Sequence, residues 1–133
     1  MAGKTDYLEN ALLNHVLRNT AYTPAATMYV ALFTAAPNDA YTSGVPTGTE
    51  VSGNNYARVS CAFDAAASGA TQNTSDLTFP TPSGSWGTVT HFGIFDASSA
   101  GNLLYWGALN ASQAVALNNI VKILDGELDV TED

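Results

Sequence analysis

Few side chains in this sequence are equipped for chemistry. There are two histidines, His15 and His91, and one cysteine, Cys61. General-base catalysis needs an imidazole beside a nucleophile and an acid that orients it. His91 instead sits in TVTHFGIF, a run of apolar and β-branched residues where a packed or interface histidine is expected. Ser60 and Ser85 have no G-x-S-x-G elbow around them. Cys61 falls on the inward side of its strand pattern, the setting of a buried, inert thiol. A single cysteine also leaves no internal disulfide. The pattern is not that of an enzyme. Only His91 brought close to an Asp and a Ser in space would restore a small hydrolase as a reading.

The other concentration of reactive groups is the acidic end. Asp125, Glu127 and Asp129 alternate, so on a strand they share a face, and Glu132 and Asp133 follow. Carboxylates at this density can hold Ca²⁺. The D-x-D-x-D-G loop is absent, however, and a charged edge strand is a common guard against edge-to-edge aggregation. The three residues are therefore read as a solvated or partner-facing edge, with a basic protein as the alternative occupant and Ca²⁺ as the third. No Walker loop, dinucleotide fingerprint or Cys/His cluster is present, so no cofactor and no metal is expected. The sequons at Asn73 and Asn110 are short motifs that an Asn- and Ser-rich chain yields by chance.

Composition narrows the partners. The net charge is −8, and the only cations are Lys4, Arg18, Arg58 and Lys122. Such a chain repels nucleic acid and anionic membranes. No apolar run approaches the ~20 residues of a membrane span, and the opening MAGKTDYLEN lacks the apolar core of a signal peptide. Synthesis in a cytoplasm is the expectation. Charged residues make up only 12% against 46% hydrophobic, so part of the surface should be covered by partners. At 133 residues the chain is read as a single domain, 1–133, without internal repeats.

The elements that position these groups centre on residues 86–109, WGTVTHFGIFDASSAGNLLYWGAL. Two runs rich in aromatic and β-branched residues flank an Asp/Ser/Gly/Asn loop at 96–102, the pattern of a β-hairpin. Neither run has a plainly polar face, which places the hairpin mid-sheet with cover on both sides. Residues 5–18 are the one helix. Leu8, Ala11, Leu12 and Val16 form its stripe, with Leu13 and Leu17 beside them. Leu12 and Val16 are expected in the core, and Leu13 and Leu17 against a partner. Thr5 suits the N-cap and Asn19 a left-handed exit. Further strands are predicted at 27–34, 55–64, 76–79, 114–117, 120–124 and 127–130, with a surface loop at 40–53, a loop or weak edge at 65–75, and a turn at Asp125-Gly126. The sum is a mainly β chain: an antiparallel β-sandwich, jelly-roll-like, with one N-terminal α-helix.

Several blocks resemble a group of short tailed-phage virion proteins commonly labelled phage tail fibre. They are KTDYLENALLNHVLR at 4–18, YVALFTAAP at 29–37, TEVSGNNYAR at 49–58, WGTVTHFGIFDA at 86–97, GNLLYWGAL at 101–109 and DGELDVTED at 125–133. The resemblance implies a virion structural protein made in a bacterial host and carried on the particle's outer surface. It brings no catalytic or metal residues. An unrepetitive chain with spare apolar surface reads first as a capsid decoration, or cement, protein that stabilises the assembled shell. In that reading the partners are the major capsid protein and further copies of itself, a trimer by analogy with decoration proteins. The alternative is a tail or tail-fibre module beside other tail proteins, contacting host surface or glycan through Tyr41, Trp86 and Tyr105.

Overall fold

The fold is that of a computed structural model, described here over residues 3–39 and 49–132. Its elements in chain order are β1 (Gly3–Lys4), α1 (Asp6–Arg18), β2 (Met28–Phe33), β3 (Val59–Cys61), β4 (Ala70–Gln72), β5 (Leu77–Thr78), β6 (Gly87–Phe95), β7 (Leu103–Val115), β8 (Lys122–Ile123) and β9 (Asp129–Thr131). The chain is mainly β, every strand pair is antiparallel, and α1 is the one helix among the described residues. Residues 40–48 of the loop predicted at 40–53, with Tyr41 among them, lie outside the described residues, as do Met1, Ala2 and Asp133.

The hairpin β6–β7 sits inside a five-stranded sheet of order β1-β7-β6-β2-β3. Its position follows from its two apolar faces. On one face Val30, Leu32, Phe92 and Ile94 join the main core; on the other Ala31, Phe33, Phe95 and Leu103 form a second cluster. Two ribbons, β4–β9 and β5–β8, supply the next layer. They add Leu77 and Val130 to the main core, an arrangement consistent with a sandwich. Close approach across the sheet needs a glycine at Gly93. A β-carbon there would meet Leu103 at 2.7 Å and Phe33 at 2.8 Å.

The loop that closes the hairpin is held by its own first and last residues. Asn102 donates to Asp96 from both its backbone N–H (2.7 Å) and its side-chain amide (2.9 Å). Ala100 and Gly101 turn left-handed inside that clasp (φ 50° and 73°). At the helix, Thr5 is the N-cap residue, but its hydroxyl does not cap. It donates to the Leu103 carbonyl (2.6 Å), while its N–H bonds the Leu104 carbonyl (3.0 Å). The threonine thus ties the start of α1 to β7. Asn19 leaves the helix left-handed (φ 54°), as expected.

Three sequence expectations change. The strand expected at 55–64 is only Val59–Cys61, because Asn54 and Asn55 are left-handed (φ 52° and 69°) and enter it as a turn. The strand expected at 114–117 is the end of β7, which runs without a turn to Val115. Val16 is not core: it is 72% exposed. The helix buries Leu8 and half-buries Ala11 and Leu12, so its docked face is one turn narrower than the apolar stripe.

Candidate functional site

Among the described residues neither histidine ring is hydrogen-bonded to a serine or to the cysteine. The His91 Nδ1 lies 2.7 Å from the neighbouring Thr90 hydroxyl, and its ring packs at 6.1 Å against Trp106. The Asp side chain in that neighbourhood, Asp39, accepts from the Trp106 indole N–H (2.9 Å). His15 sits at the end of α1 with Nδ1 3.3 Å from the Thr20 carbonyl. Ser85 is used structurally: its Oγ accepts from the Gly87 N–H (3.1 Å). Cys61 is buried in the main core, and burial pushes its thiol up to about 11, which keeps it protonated at neutral pH.

The acidic residues at 125–129 do not form one strand face. Asp125-Gly126 is a turn, as predicted, with Gly126 left-handed (φ 78°). The Asp125 N–H donates to Asp76 (2.8 Å), whose carboxylate also pairs with Lys122 (3.2 Å). Those two partners, the Asp125 N–H first, hold the Asp76 carboxyl below its ordinary range. Glu127 accepts from the Leu124 N–H (3.2 Å) and closes the turn. Only Asp129 lies on a strand, at the start of β9. The alternation fails because the turn uses the first two residues. Among the described residues no three His, Cys, Asp or Glu side chains gather to hold a metal.

Of the aromatics expected to line a groove, Trp86 and Tyr105 are among the described residues, and neither is an open surface ring. Trp86 is 5% exposed. Its indole N–H donates to the Asn54 carbonyl (2.9 Å), and Tyr56 meets it edge-on at 5.3 Å. Its place is in the core because the turn at Asn54 supplies a partner for its polar handle. Tyr105 is half-buried, with its hydroxyl donated to Glu132 (2.8 Å).

Two further surface features stand out. The first is the outer face of α1, where Leu13, Val16 and Leu17 are 56%, 72% and 74% exposed. They stand at i, i+3 and i+4, so they make one continuous patch. Leu13 and Leu17 are the residues assigned to a partner from sequence, and Val16 joins them.

The second surface is a cleft of about 650 Å³ that the sequence did not reveal. A break in the β6–β7 ladder makes it. Val89 pairs with Gln113 and His91 with Ala108, so the single residue Thr90 lies opposite Leu109, Asn110, Ala111 and Ser112. These four residues against one leave the ladder as an enlarged bulge. The cleft opens between this segment, β8 and residues 127–129. Its lining is mixed: the buried Phe92, Val115 and Leu128 and the half-buried Ile123 stand beside Asn110, Gln113, Asn119, Lys122, Glu127 and Asp129. The one sequence signal was LNASQ, a polar interruption in an otherwise apolar strand pattern.

A polar cluster missed by sequence reasoning fixes the hairpin loop. Arg58 gives Glu50 two bonds, from Nε (2.9 Å) and Nη2 (2.8 Å). Its Nη1 donates to the carbonyls of Ala97 and Ala100, both at 2.9 Å. Its guanidinium carbon lies 3.6 Å from the centre of the Phe95 ring. Tyr56 completes the cluster: its hydroxyl donates to Glu50 (2.8 Å) and accepts from the Leu32 N–H (3.0 Å). Burial and the Glu50 charge raise the Tyr56 phenol well above its ordinary value, so it stays a neutral donor.

Comparison with known proteins adds one match. The family model described as Podophage GP4 fiber I protein gp80 matches residues 3–131. No curated protein matches the chain.

Proposed function

The chain belongs to the podophage fibre I family just matched, a family of phage virion structural proteins, and from that premise we propose that it is a module of the tail fibre rather than a capsid decoration protein. The single observation that carries this choice is the match itself, which spans all but the ends of the chain. The features that first favoured a shell serve a fibre module equally well. An exposed apolar helix patch and a cleft are attachment surfaces wherever the protein sits. The fibre shaft is not its place, since shafts are long and repetitive and this sequence has no repeat. A tip or a joint suits it better.

The experiment is to delete the gene and follow genome retention and adsorption separately. Particles without the protein should hold their DNA on heating as well as wild type, and adsorb poorly or show altered fibres in micrographs. Particles that adsorb normally but lose DNA at lower temperature would return the protein to the shell.

A further inference from the structure

We propose that the cleft between β7 and β8 takes an extended segment of another virion protein, which adds as a strand along the open edge of β8. The contact does not depend on whether the protein sits in a fibre or on a shell. Three observations carry it. The first is the edge itself. β8 pairs only with β5, Leu77 against Ile123 and Thr78 against Lys122. The Phe79 N–H bonds the Val121 carbonyl (3.0 Å), so Val121 and Ile123 turn their backbone groups to the β5 side. Backbone direction alternates along a strand, and the N–H and C=O of Ile120 and Lys122 therefore point the other way. Among the described residues these four groups have no partner. An edge lysine usually guards against added strands. Here Lys122 is drawn to Asp76, beside β5 (3.2 Å), and leaves the edge clear.

The second observation is the opposite wall. β1 covers the outer edge of β7 only at Tyr105 and Trp106, and beyond them no strand lies beside that edge among the described residues. The bulge frees residues 109–112 from β6 as well. The cleft thus runs between two open strand edges. Residues 119–123 line it without a break, as the edge of a strand does and one face of it does not. The polar lining suits this occupant, because an added strand binds through its own N–H and C=O groups. The third observation is size. A strand residue takes about 3.3 Å along the chain, about 4.8 Å across and about 10 Å through the sheet, on the order of 160 Å³. The cleft of about 650 Å³ therefore holds about four residues of a single strand, not the edge of a second sheet. Among the described residues every strand of this chain is already paired in its own sheets, so a different protein supplies the segment. Glu127 and Asp129 have no cation partner among the described residues, and a Lys or Arg at one end of the segment would meet them.

The test is made in particles. A phage lacking the gene is supplied with variants in trans, and the protein in purified particles is counted by mass spectrometry. Lys122→Ala removes the side chain and keeps the edge. Lys122→Pro removes the edge N–H and spares the β5 pairing, since that N–H points away from β5. Both should melt close to wild type. Lys122→Ala should be carried at the wild-type level, and Lys122→Pro reduced on the order of tenfold, the cost of an acceptor left unpaired in the contact. If Lys122→Pro melts well below wild type, Ile120→Pro, placed before β8, carries the test instead. A photocrosslinking benzoylphenylalanine at Gln113, exposed in the cleft, should join the protein to a different virion protein. Hydrogen exchange on the free protein should find the Ile120 and Lys122 amides unprotected beside a protected Ile123. Proline variants carried at the wild-type level overturn the proposal. So does loss of Lys122→Ala along with them, which is recognition by the side chain. A crosslink to a second copy of this chain overturns it, as does no protein crosslink at all, which would leave the cleft to a glycan. Protected Ile120 and Lys122 amides in the free protein overturn it too, since the edge would then be already paired.

Discussion

Replacing Arg58 with alanine should cost about 3–5 kcal/mol, although the residue stands outside every strand. The side chain is 6% exposed and its partner Glu50 20% exposed. Removing one partner of a buried ion pair typically costs about 3–5 kcal/mol, because the other charge stays behind without compensation. Tyr56 would still donate to Glu50, which keeps the cost from rising further. Against that, the guanidinium also lies over Phe95, a contact worth about 0.5–2 kcal/mol. The carbonyls of Ala97 and Ala100 would lose their donor, but they can turn to water. For a chain of this length each kcal/mol moves the melting temperature by about 3–5 °C. The variant should therefore melt roughly 10–20 °C below wild type.

The assay is urea unfolding followed by tryptophan fluorescence, since Trp86 is buried against Tyr56 in the same region. Arg58→Lys keeps the charge and loses the fork, so it should fall between alanine and wild type. A double-mutant cycle with Glu50→Gln should give a coupling above about 1 kcal/mol, within the usual range for contacting residues. Hydrogen exchange should rise selectively at 96–102, the loop that Arg58 holds. A loss below about 1 kcal/mol for Arg58→Ala, the figure for an exposed pair, would refute the reasoning.

Other outcomes follow from the same geometry. Gly93→Ala should destabilise by about 1–3 kcal/mol in denaturant unfolding, because its new methyl meets Leu103 and Phe33 below 3.0 Å. Cys61 should resist alkylation in the folded protein at pH 8 and react promptly once urea unfolds it, since its thiol is held near 11 by burial. Burial alone would raise the Glu132 carboxyl, but Lys4 and the Tyr105 hydroxyl together hold it below its ordinary 4.5. A depressed carboxylate stabilises above its unfolded value and stops doing so as pH falls through the folded one. Glu132→Gln should thus flatten the loss of stability on the acid side of 4.5, modestly because the side chain is well exposed, as melts across that range would show.

What the sequence made legible was whatever depends on neighbours along the chain. The central hairpin, the helix bounds at Thr5 and Asn19, the Asp125-Gly126 turn and the mainly β architecture are all of that kind. Each rests on local periodicity or on a residue's own backbone preference. What it hid depends on distant pairings. Arg58 and Glu50 are close in sequence, but their meaning comes from Phe95 and the 96–102 loop folding over them. Trp86 read as an exposed aromatic because its partner, the Asn54 carbonyl, is 32 residues away. The acidic alternation at 125–129 looked like a strand face until the turn took Asp125 and Glu127. The cleft could not be seen at all, because a bulge of four residues against one is a property of register, which no single strand declares.

These differences also narrow where partners can attach. The spare apolar surface expected from composition was spread over the hairpin, the helix and the strands. The sheet turns out to use its own: both faces of β2 and β6 go into core clusters, and the ribbons consume Leu77, Leu128 and Val130. Among the described residues the exposed large hydrophobics are Tyr7, Leu13, Val16 and Leu17 on the helix and Leu117, Ile120 and Leu124 around β8. A chain with so few charges cannot solvate those patches cheaply, yet it does not bury them. Scattered exposed leucines need no explanation, but clustered ones mark contact surfaces. The helix patch lies toward the C-terminal end of α1, whose N-cap Thr5 is tied to β7. The second patch borders the cleft. A fibre module requires attachment at defined points and freedom elsewhere, and two separate apolar patches suit that requirement.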